Sequence, residues 1–243
     1  GAVDVGPPQV LGRRVFCLHP HQDRYVVPLS AVTPIPDAVP THRAVLAGTV
    51  ETAINALWDA APRYGDRIAV VGAGLVGLTV ALLLTDFPLG RLQVVDVDPA
   101  RRTIVDALGV SFASPESADE GCDVVFHASA SEGGLATGLH LLGDEAELIE
   151  LSWFGEPPRL DLGAEFHGRR LAIKASQVGV VSPSRSSRRT TSDRLRLALD
   201  ALADPRFDAL VGEASDFEHL PDVMRDLDAG RLDAPCPLIT YAQ

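Results

Sequence analysis

The chain of 243 residues is poor in cysteine, has fewer basic than acidic residues and contains no long apolar run. Its three cysteines, Cys17, Cys122 and Cys236, lie far apart, so they predict neither a disulfide framework nor a zinc cluster. A net charge of −12 disfavours nucleic acid and anionic membrane surfaces as partners, because both attract a basic face. The absence of a membrane-length apolar segment and of a signal-peptide pattern predicts a cytoplasmic protein.

The composition is that of an ordinary globular protein, with 46% hydrophobic and 22% charged residues. After Gly65, apolar runs of strand length alternate with helical stretches. Near-continuous apolar runs such as residues 68–71 are typical of a parallel sheet that is buried on both faces. We therefore expect strands at residues 67–72, 92–96, 110–113, 123–127, 147–151 and 171–175, with helices at 75–85, 99–108 and 132–142.

The most informative motif is Gly72-Ala-Gly74-Leu-Val-Gly77, which lies between the first of these strands and a helix. Gly72 suits a tight turn, Gly74 lets the backbone approach a pyrophosphate, and Gly77 lets the helix pack on the strand. Leu75 and Val76 lie in the first helical turn, whose amides face the phosphate charge. The motif predicts a dinucleotide site, and the alternative is a chance glycine turn.

Asp96 follows Gly77 by nineteen residues, at the end of the next expected strand. A carboxylate at this position accepts hydrogen bonds from the adenosine ribose hydroxyls and repels a 2′-phosphate. We therefore expect NAD as the cofactor, with NADP less favoured. In the alternative interpretation, Asp96 is an ordinary strand-end residue whose carboxylate lies in water.

The N-terminal and C-terminal parts of the sequence lack the regular alternation of strands and helices seen in the centre. Short β-like runs at residues 14–18 and 25–27 precede a proline-rich connector, and apolar residues recur at helical spacing from Thr41 to Ala61. The tail predicts helices near 193–203 and 217–228 and short strands near 208–212 and 238–241. The expected fold is α/β: a doubly wound, Rossmann-type parallel sheet at residues 48–179, with residues 1–47 and 180–243 as an incomplete, mostly β second domain.

The ordered series of motifs resembles the medium-chain dehydrogenase/reductase superfamily, which includes the zinc-type alcohol dehydrogenases. The resemblance covers nearly the whole chain from about residue 12. The stretches that carry it are residues 27–37, 47–57, 65–72, 108–110, 123–129 and 173–179. The second domain is then implied to be part of that family's GroES-like catalytic domain.

The resemblance also implies positions around the cofactor. Thr52 would lie near the nicotinamide, and Arg101 near the adenosine ribose or its phosphate. The segment from Ala175 to Gln177 would approach the carboxamide. Three residues would line the cofactor at the strand ends: Ala128, Ser129 and Ser152. By the same analogy a homodimer is plausible.

The sequence departs from this family in its metal ligands. The cysteine and the Gly-His-Glu motif that hold the catalytic zinc have no counterpart here, and Gly48 occupies the third ligand position by spacing. The gap between the first two β-like runs is too short for a structural zinc lobe. Zinc is therefore not supported. Three alternatives stay open: an N-terminally truncated reading of a longer enzyme, an enzyme that lost its metal, or a chain that only binds nucleotide.

Other residues could carry chemistry, each with a simpler structural interpretation. His19, His21 and Asp23 could bind a metal or move protons, although turn histidines are common and Pro20 interrupts any strand. Glu51 could be a ligand or a general base, although a half-exposed helical glutamate is the favoured reading. His127 could act in the crevice at the strand ends or only hydrogen-bond a neighbouring loop.

Two further features suggest substrate contacts. Arginines could capture an anionic group or form a solvated surface; they are Arg185, Arg188, Arg189, Arg194 and Arg196. Trp153 and Phe154 could stack on a substrate ring or close the core.

The expected function is hydride transfer between a nicotinamide cofactor and a small alcohol or carbonyl substrate, with the proton-transferring group unknown. A non-catalytic nucleotide-binding or assembly module is the alternative from another class. A methyltransferase is a lesser alternative, because its glycine-rich loop and strand-end acid look similar.

Overall fold

A computed structural model describes residues 1–232 and 234–241. The chain divides into two compact units: Gly1–Glu51 together with Ser192–Gln243, and Thr52–Thr191. We call them the outer unit and the sheet unit. In the described part of the chain, no helix combines the length and apolarity needed to cross a membrane.

The strands and helices alternate along most of the chain. The strands are β1 (Val15–Phe16), β2 (Thr33–Pro34), β3 (Arg67–Val71), β4 (Arg91–Val95), β5 (Ser111–Ala113), β6 (Cys122–His127), β7 (Leu142–Glu150), β8 (Ala172–Ala175), β9 (Val211–Asp216) and β10 (Cys236–Thr240). The α-helices are α1 (Thr41–Ala44), α2 (Ala47–Ala60), α3 (Leu75–Leu84), α4 (Arg102–Ala107), α5 (Glu132–Leu141), α6 (Ala164–Gly168), α7 (Thr191–Ala201) and α8 (Leu220–Asp228).

The sheet unit is built on six parallel strands in the order β5-β4-β3-β6-β7-β8. This confirms the expected α/β class with a Rossmann-like sheet. All six strands lie within a few residues of their predicted positions, although β7 begins five residues before the predicted strand at 147. The side chains of Ile68, Ala69 and Val70 in β3 are fully buried. Their burial explains the unbroken apolar run, since both faces of the central strand are covered.

The outer unit holds two small sheets and several helices. β1 pairs antiparallel with β2, and β9 pairs parallel with β10. The predicted strand at residues 25–27 is wrong, because this segment has no regular structure and β1 pairs instead with Thr33 and Pro34. The second unit was expected to be mostly β, but α1, α7 and α8 contribute to it beside the four short strands.

A buried arginine ties α1 to the turn before β9. Arg43 is almost fully buried, and its Nε and Nη2 donate to the two carboxylate oxygens of Asp208 at 2.6 and 2.8 Å. Its Nη1 donates to the carbonyl of Ala203 at 3.1 Å. The hydrogen bonds from Arg43 lower the pKa of Asp208 from its usual value to about 2, with a smaller contribution from His42. The pair therefore stabilises the outer unit chiefly when Asp208 is ionised.

Asp208→Asn is expected to lower the free energy of unfolding by about 1–2 kcal/mol at neutral pH, because Arg43 keeps its place but loses its counter-charge. The side chain of Asp208 is 49% exposed, so solvent screening limits the effect. A depressed folded-state pKa stabilises the protein above the unfolded-state value, near 4, and this contribution disappears as the pH falls towards about 2.

Urea unfolding at a series of pH values measures this difference. Asp228→Asn, at an exposed position of α8 in the same unit, is the control and should change the stability little. A stability difference between wild type and Asp208→Asn that persisted unchanged at about pH 2 would contradict the assignment.

Candidate functional site

The sheet order reverses direction between β3 and β6, because the chain runs from β3 outward to β4 and β5 and then returns to β6. In open parallel sheets, ligands bind outside the carboxyl ends of the strands at such a switch point. We call this place the crevice. It is bounded by the turn after β3, the segment after β6 and the first turns of α3 and α5.

The turn after β3 is held close to the end of β6. Gly72 has φ +107°, which is a conformation that favours glycine, and its N–H donates to the carbonyl of Val95 at 2.8 Å. A Cβ at Gly72 would lie 2.8 Å from the amide nitrogen of Ser129 and 2.9 Å from the carbonyl carbon of Ala128. A Cβ at Gly77 would overlap the carbonyl oxygen of Gly72. The turn and the β6 end therefore pack backbone to backbone.

Gly74 caps the start of α3 and leaves space in front of the helix. Gly74 is exposed, and a Cβ built on it meets no atom within 4 Å. Leu75 and Val76 form the half-buried first turn of this ten-residue helix. The first amides of a helix have no partner within the helix and carry its partial positive charge. An anionic group fits in front of Gly74 on both grounds.

Asp96 is half-buried immediately after β4, beside the glycine turn. Its Oδ2 accepts a hydrogen bond from the amide of Ala73 at 2.6 Å, and its Oδ1 accepts one from the amide of Asp98 at 2.8 Å. Two backbone amides therefore hold this carboxylate, so the alternative of a strand-end residue with its carboxylate in water is incomplete. Arg101 lies nearby, with its Nε 3.6 Å from the carboxylate of Asp98. Because an ionised carboxylate offers about four acceptor positions, Asp96 can accept further hydrogen bonds.

A buried polar network occupies the other side of the crevice. His127 at the end of β6 has no exposed surface, and it lies opposite Glu150 of β7 in the strand register. Its Nδ1 is 2.8 and 3.0 Å from the two carboxylate oxygens of Glu150, and its Nε2 is 2.8 Å from Oγ of Ser129. The simpler reading of His127, a hydrogen bond to a neighbouring loop, is thus incomplete.

Glu150 is ionised in this network. Burial alone raises the pKa of its carboxyl group, but hydrogen bonds from His127 and from the Ser152 amide outweigh burial and hold the pKa below its usual value. The Ser152 amide donates to Oε1 at 2.7 Å. Oγ of Ser152 in turn accepts the amide of Ala130, which has the strained φ of +52°. The network thus fixes the turn that follows Ser129.

The remaining predicted cofactor residues lie on α2 and after β8. Thr52 is half-buried on α2, and Gln177 is exposed with its side-chain oxygen accepting the amide of Gly179 at 2.6 Å. Ser176 donates to the buried carboxylate of Asp59 on α2 at 2.6 Å, which attaches the segment after β8 to that helix.

The candidate metal residues are not arranged as a site. Within residues 1–232 and 234–241, no group of three or more His, Cys, Asp or Glu side chains is placed to hold a metal ion. His19 stacks on Tyr25 with ring centroids 3.8 Å apart, and Nδ1 of His21 is 2.5 Å from the hydroxyl of Tyr241. The carboxylate of Asp23 accepts the amide of Arg24 instead. The residues present therefore do not fit a zinc centre.

The structure corrects the predictions for Glu51 and for the arginine cluster. Glu51 is only 7% exposed, not half-exposed, and its Oε1 lies 3.1 Å from Nε of the fully buried Arg194. Arg194 is thus a core residue of the outer unit, and Arg196 pairs with Asp193 on its own helix. The exposed arginines of the cluster that remain in the sheet unit are Arg185, Arg188 and Arg189. Trp153 is 86% exposed, so it does not close the core.

No known protein-family model matches this sequence. A curated zinc-type alcohol dehydrogenase-like protein of Haemophilus influenzae is 23% identical over 215 residues, which are 82% of this chain and 58% of that protein. In sequence and fold, the chain resembles the zinc-type alcohol dehydrogenases. This confirms the resemblance expected from the motifs, and the chain spans little more than half the length of the curated relative that it matches.

Solved structures share the fold at low identity. A short chain alcohol dehydrogenase from Escherichia coli CFT073 in complex with NADH superposes with a TM-score of 0.72 and 19% identity, over 88% of this chain and 64% of that one. The 2R,3R-butanediol dehydrogenase of Bacillus subtilis gives 0.73 and 18%, over 94% and 74%. The L-idonate 5-dehydrogenase of E. coli K-12 gives 0.74 and 15%, over 89% and 62%. The chain therefore has the dehydrogenase fold.

Substitutions at the start of α5 test how tightly the residues around the crevice are packed. Gly134→Ala is expected to lower the free energy of unfolding by about 1–3 kcal/mol, because the new Cβ overlaps Oγ of Ser129 and lies 3.0 Å from Nε2 of His127. Gly133→Ala is the matched control in the same helical turn, where a Cβ meets no atom within 4 Å. It should be neutral or stabilising by up to about 1 kcal/mol. Chemical denaturation measures both, and equal effects would contradict the close packing.

Proposed function

We propose that the chain is the nucleotide-binding part of an oxidoreductase that uses NAD for hydride transfer to or from a small alcohol or carbonyl compound. The observation that carries this proposal is the joint geometry of the glycine turn, the open N-terminus of α3 and the carboxylate of Asp96 hydrogen-bonded to Ala73. The fold shared with the NADH complex from E. coli supports the nicotinamide cofactor. In this proposal residues 48–179 form the nucleotide-binding domain, and the protein works as a homodimer.

The chain's own residues bind and orient the cofactor. The pyrophosphate lies in front of Gly74, where the first amides of α3 donate to its oxygens. Asp96 accepts the ribose hydroxyls with the acceptor positions left after its bonds to Ala73 and Asp98. The residues proposed to line the rest of the cofactor are Thr52, Arg101, Ala128, Ser129, Ser152 and Gln177. Bound NAD supplies the hydride acceptor, and these contacts hold it against the substrate.

Asp96 is also the reason for expecting NAD and not NADP. A 2′-phosphate would bring about two negative charges next to a carboxylate that two backbone amides already hold in place. Arg101 is a nearby cation that could offset this repulsion, but its Nε already faces the carboxylate of Asp98. The repulsion from Asp96 therefore outweighs the attraction to Arg101, which favours the ribose of NAD, without a 2′-phosphate.

A second candidate is a module that binds nucleotide without catalysis. Two observations favour it. Gly48, at the position where spacing places a zinc ligand of the family, has no ligating side chain, and the described residues contain no cluster of three or more His, Cys, Asp or Glu side chains placed to hold a metal ion. No zinc-dependent step is proposed for this chain. Turnover separates the two candidates.

NADH should bind at least about tenfold more tightly than NADPH in a fluorescence titration, a difference of about 1.4 kcal/mol. Asp96→Asn should reduce that preference, because the variant keeps the shape of the side chain but removes the charge. Asp106→Asn, at an exposed position of α4, is the control and should bind like wild type. A preference for NADPH, or binding of S-adenosylmethionine in place of NADH, would overturn the proposal.

Hydride transfer is tested by NADH oxidation with a panel of aldehydes and ketones, and by NAD reduction with the matching alcohols. We expect turnover with some of these compounds that disappears when the dinucleotide is omitted. Tight NADH binding without turnover across the panel would favour the non-catalytic module.

A further inference from the structure

In the hydrogen-bonded network beside the crevice, each group can be assigned as donor or acceptor. Within the part of the chain that the structure describes, Nδ1 of His127 faces two groups: the ionised carboxylate of Glu150 and the hydroxyl of Ser152 at 3.3 Å. An ionised carboxylate accepts hydrogen bonds and donates none. Nδ1 therefore carries a proton and donates it to Glu150. In a neutral ring, the other nitrogen, Nε2, is then a hydrogen-bond acceptor.

Ser129 must supply the hydrogen for that acceptor. Its Oγ is 2.8 Å from Nε2 of His127, and a hydroxyl has one hydrogen to donate. With this hydrogen directed at His127, Ser129 can only accept from its other neighbours. One of them is the hydroxyl of Ser131, whose oxygen lies 2.9 Å away.

Ser131 completes the chain of donors. It is the N-cap of α5, and its Oγ accepts the amide of Gly134 at 3.0 Å. Its own hydrogen is then free to point at Ser129. Hydrogen bonds thus run in one direction, from the helix amide through Ser131 and Ser129 to His127, and the imidazole N–H continues to Glu150. Ser129 is left with one acceptor position and no hydrogen to offer.

We propose that Ser129 is an acceptor-only contact for a hydroxyl group of the ligand in the crevice, and that His127 and Glu150 are positioning residues that fix this polarity. Ser129 is half-buried, and its backbone lies against the glycine turn that borders the crevice. In this proposal its remaining acceptor position faces the crevice. A ribose hydroxyl can donate to it, whereas an ionised phosphate oxygen cannot. This inference rests on the proposed function, since it names the part of the nucleotide that Ser129 selects.

Glu150→Gln should reverse the donor and acceptor roles along this row of hydrogen bonds, while a side chain of the same size stays in place. The Ser152 amide must still be accepted, so the oxygen of the new amide takes the place of Oε1 and its NH₂ faces Nδ1 of His127. Nδ1 would then accept, and the proton would move to Nε2. Nε2 would donate to Ser129, and the hydroxyl of Ser129 would become a donor.

Nitrogen NMR of the histidine-labelled protein tests the polarity without any ligand. The spectra are recorded at about pH 8, and the nitrogen shifts identify which ring atoms carry a proton. The His127 signals are assigned by their loss in His127→Gln. We expect the proton on Nδ1 in wild type and on Nε2 in Glu150→Gln. A proton on Nε2 in wild type would overturn the inference.

NADH titrations test the contact with the ligand. Ser129→Ala should weaken NADH binding by about tenfold in the wild-type background, the loss of one hydrogen bond at a buried partner. In the Glu150→Gln background the hydroxyl of Ser129 no longer directs its hydrogen at His127 and can offer it to the ligand, so the loss caused by the same substitution should differ from the wild-type loss by more than about twofold. Ser186→Ala, at an exposed turn of the same unit, is the control and should bind like wild type. Thermal unfolding confirms that all variants are folded.

The outcomes separate this inference from the proposed function. If wild type binds no adenine dinucleotide although the proton lies on Nδ1, the proposed function fails and with it the hydroxyl contact. If wild type binds NADH and Ser129→Ala binds it equally well, this inference alone fails. Equal losses from Ser129→Ala in both backgrounds would also refute it, because a purely structural role of His127 and Glu150 predicts that result. Covalent labelling of Ser129 by a fluorophosphonate would show a nucleophile in place of an acceptor.

Discussion

The site depends on the contact between the glycine turn after β3 and the backbone that follows β6. At Gly72 and at Gly134, a single added carbon would overlap main-chain or side-chain atoms of Ser129 or its neighbour. These overlaps mean that three segments, the turn, the β6 end and the start of α5, converge on one serine. Because protein interiors accommodate extra volume poorly, this convergence restricts both glycines and positions Ser129 at once. The same packing leaves the space in front of Gly74 open.

The parts of the fold that sequence predicts well are those with a local signal. Residues 68–71 form an unbroken apolar run because both faces of β3 are covered, and the glycine turn follows because only glycine adopts φ +107° at Gly72 without strain. Asp96 could be placed beside the turn from its spacing alone. Its bond to Ala73 follows from the parallel register of β3 and β4, which brings the ends of both strands to the same edge.

The parts that sequence missed depend on pairs that are distant along the chain. Residues 25–27 have side chains typical of a strand, but β1 pairs with Thr33 and Pro34 of β2 instead. Glu51 looked like a surface residue because nothing near it in sequence pairs with it, and the cation that permits its burial is Arg194 on α7. Glu150 could not be predicted as a site residue for the same reason. Only the register between β6 and β7 brings it opposite His127, and the alternation of apolar residues along β7 gives no sign of it.

The two sides of the crevice differ in the hydrogen-bonding character they offer a ligand. The start of α3 presents amide donors and a partial positive charge, which suit the oxygens of a pyrophosphate. Asp96 and Ser129 present acceptors, which suit hydroxyl groups. A molecule with a central anionic group and hydroxyl-bearing sugars on each side satisfies both conditions, and a dinucleotide has this pattern. A simple phosphate ester would satisfy the helix but leave the two acceptors facing oxygen atoms without hydrogens. In the proposed site, the order of donors and acceptors along the crevice therefore distinguishes a dinucleotide from a simple phosphate ester.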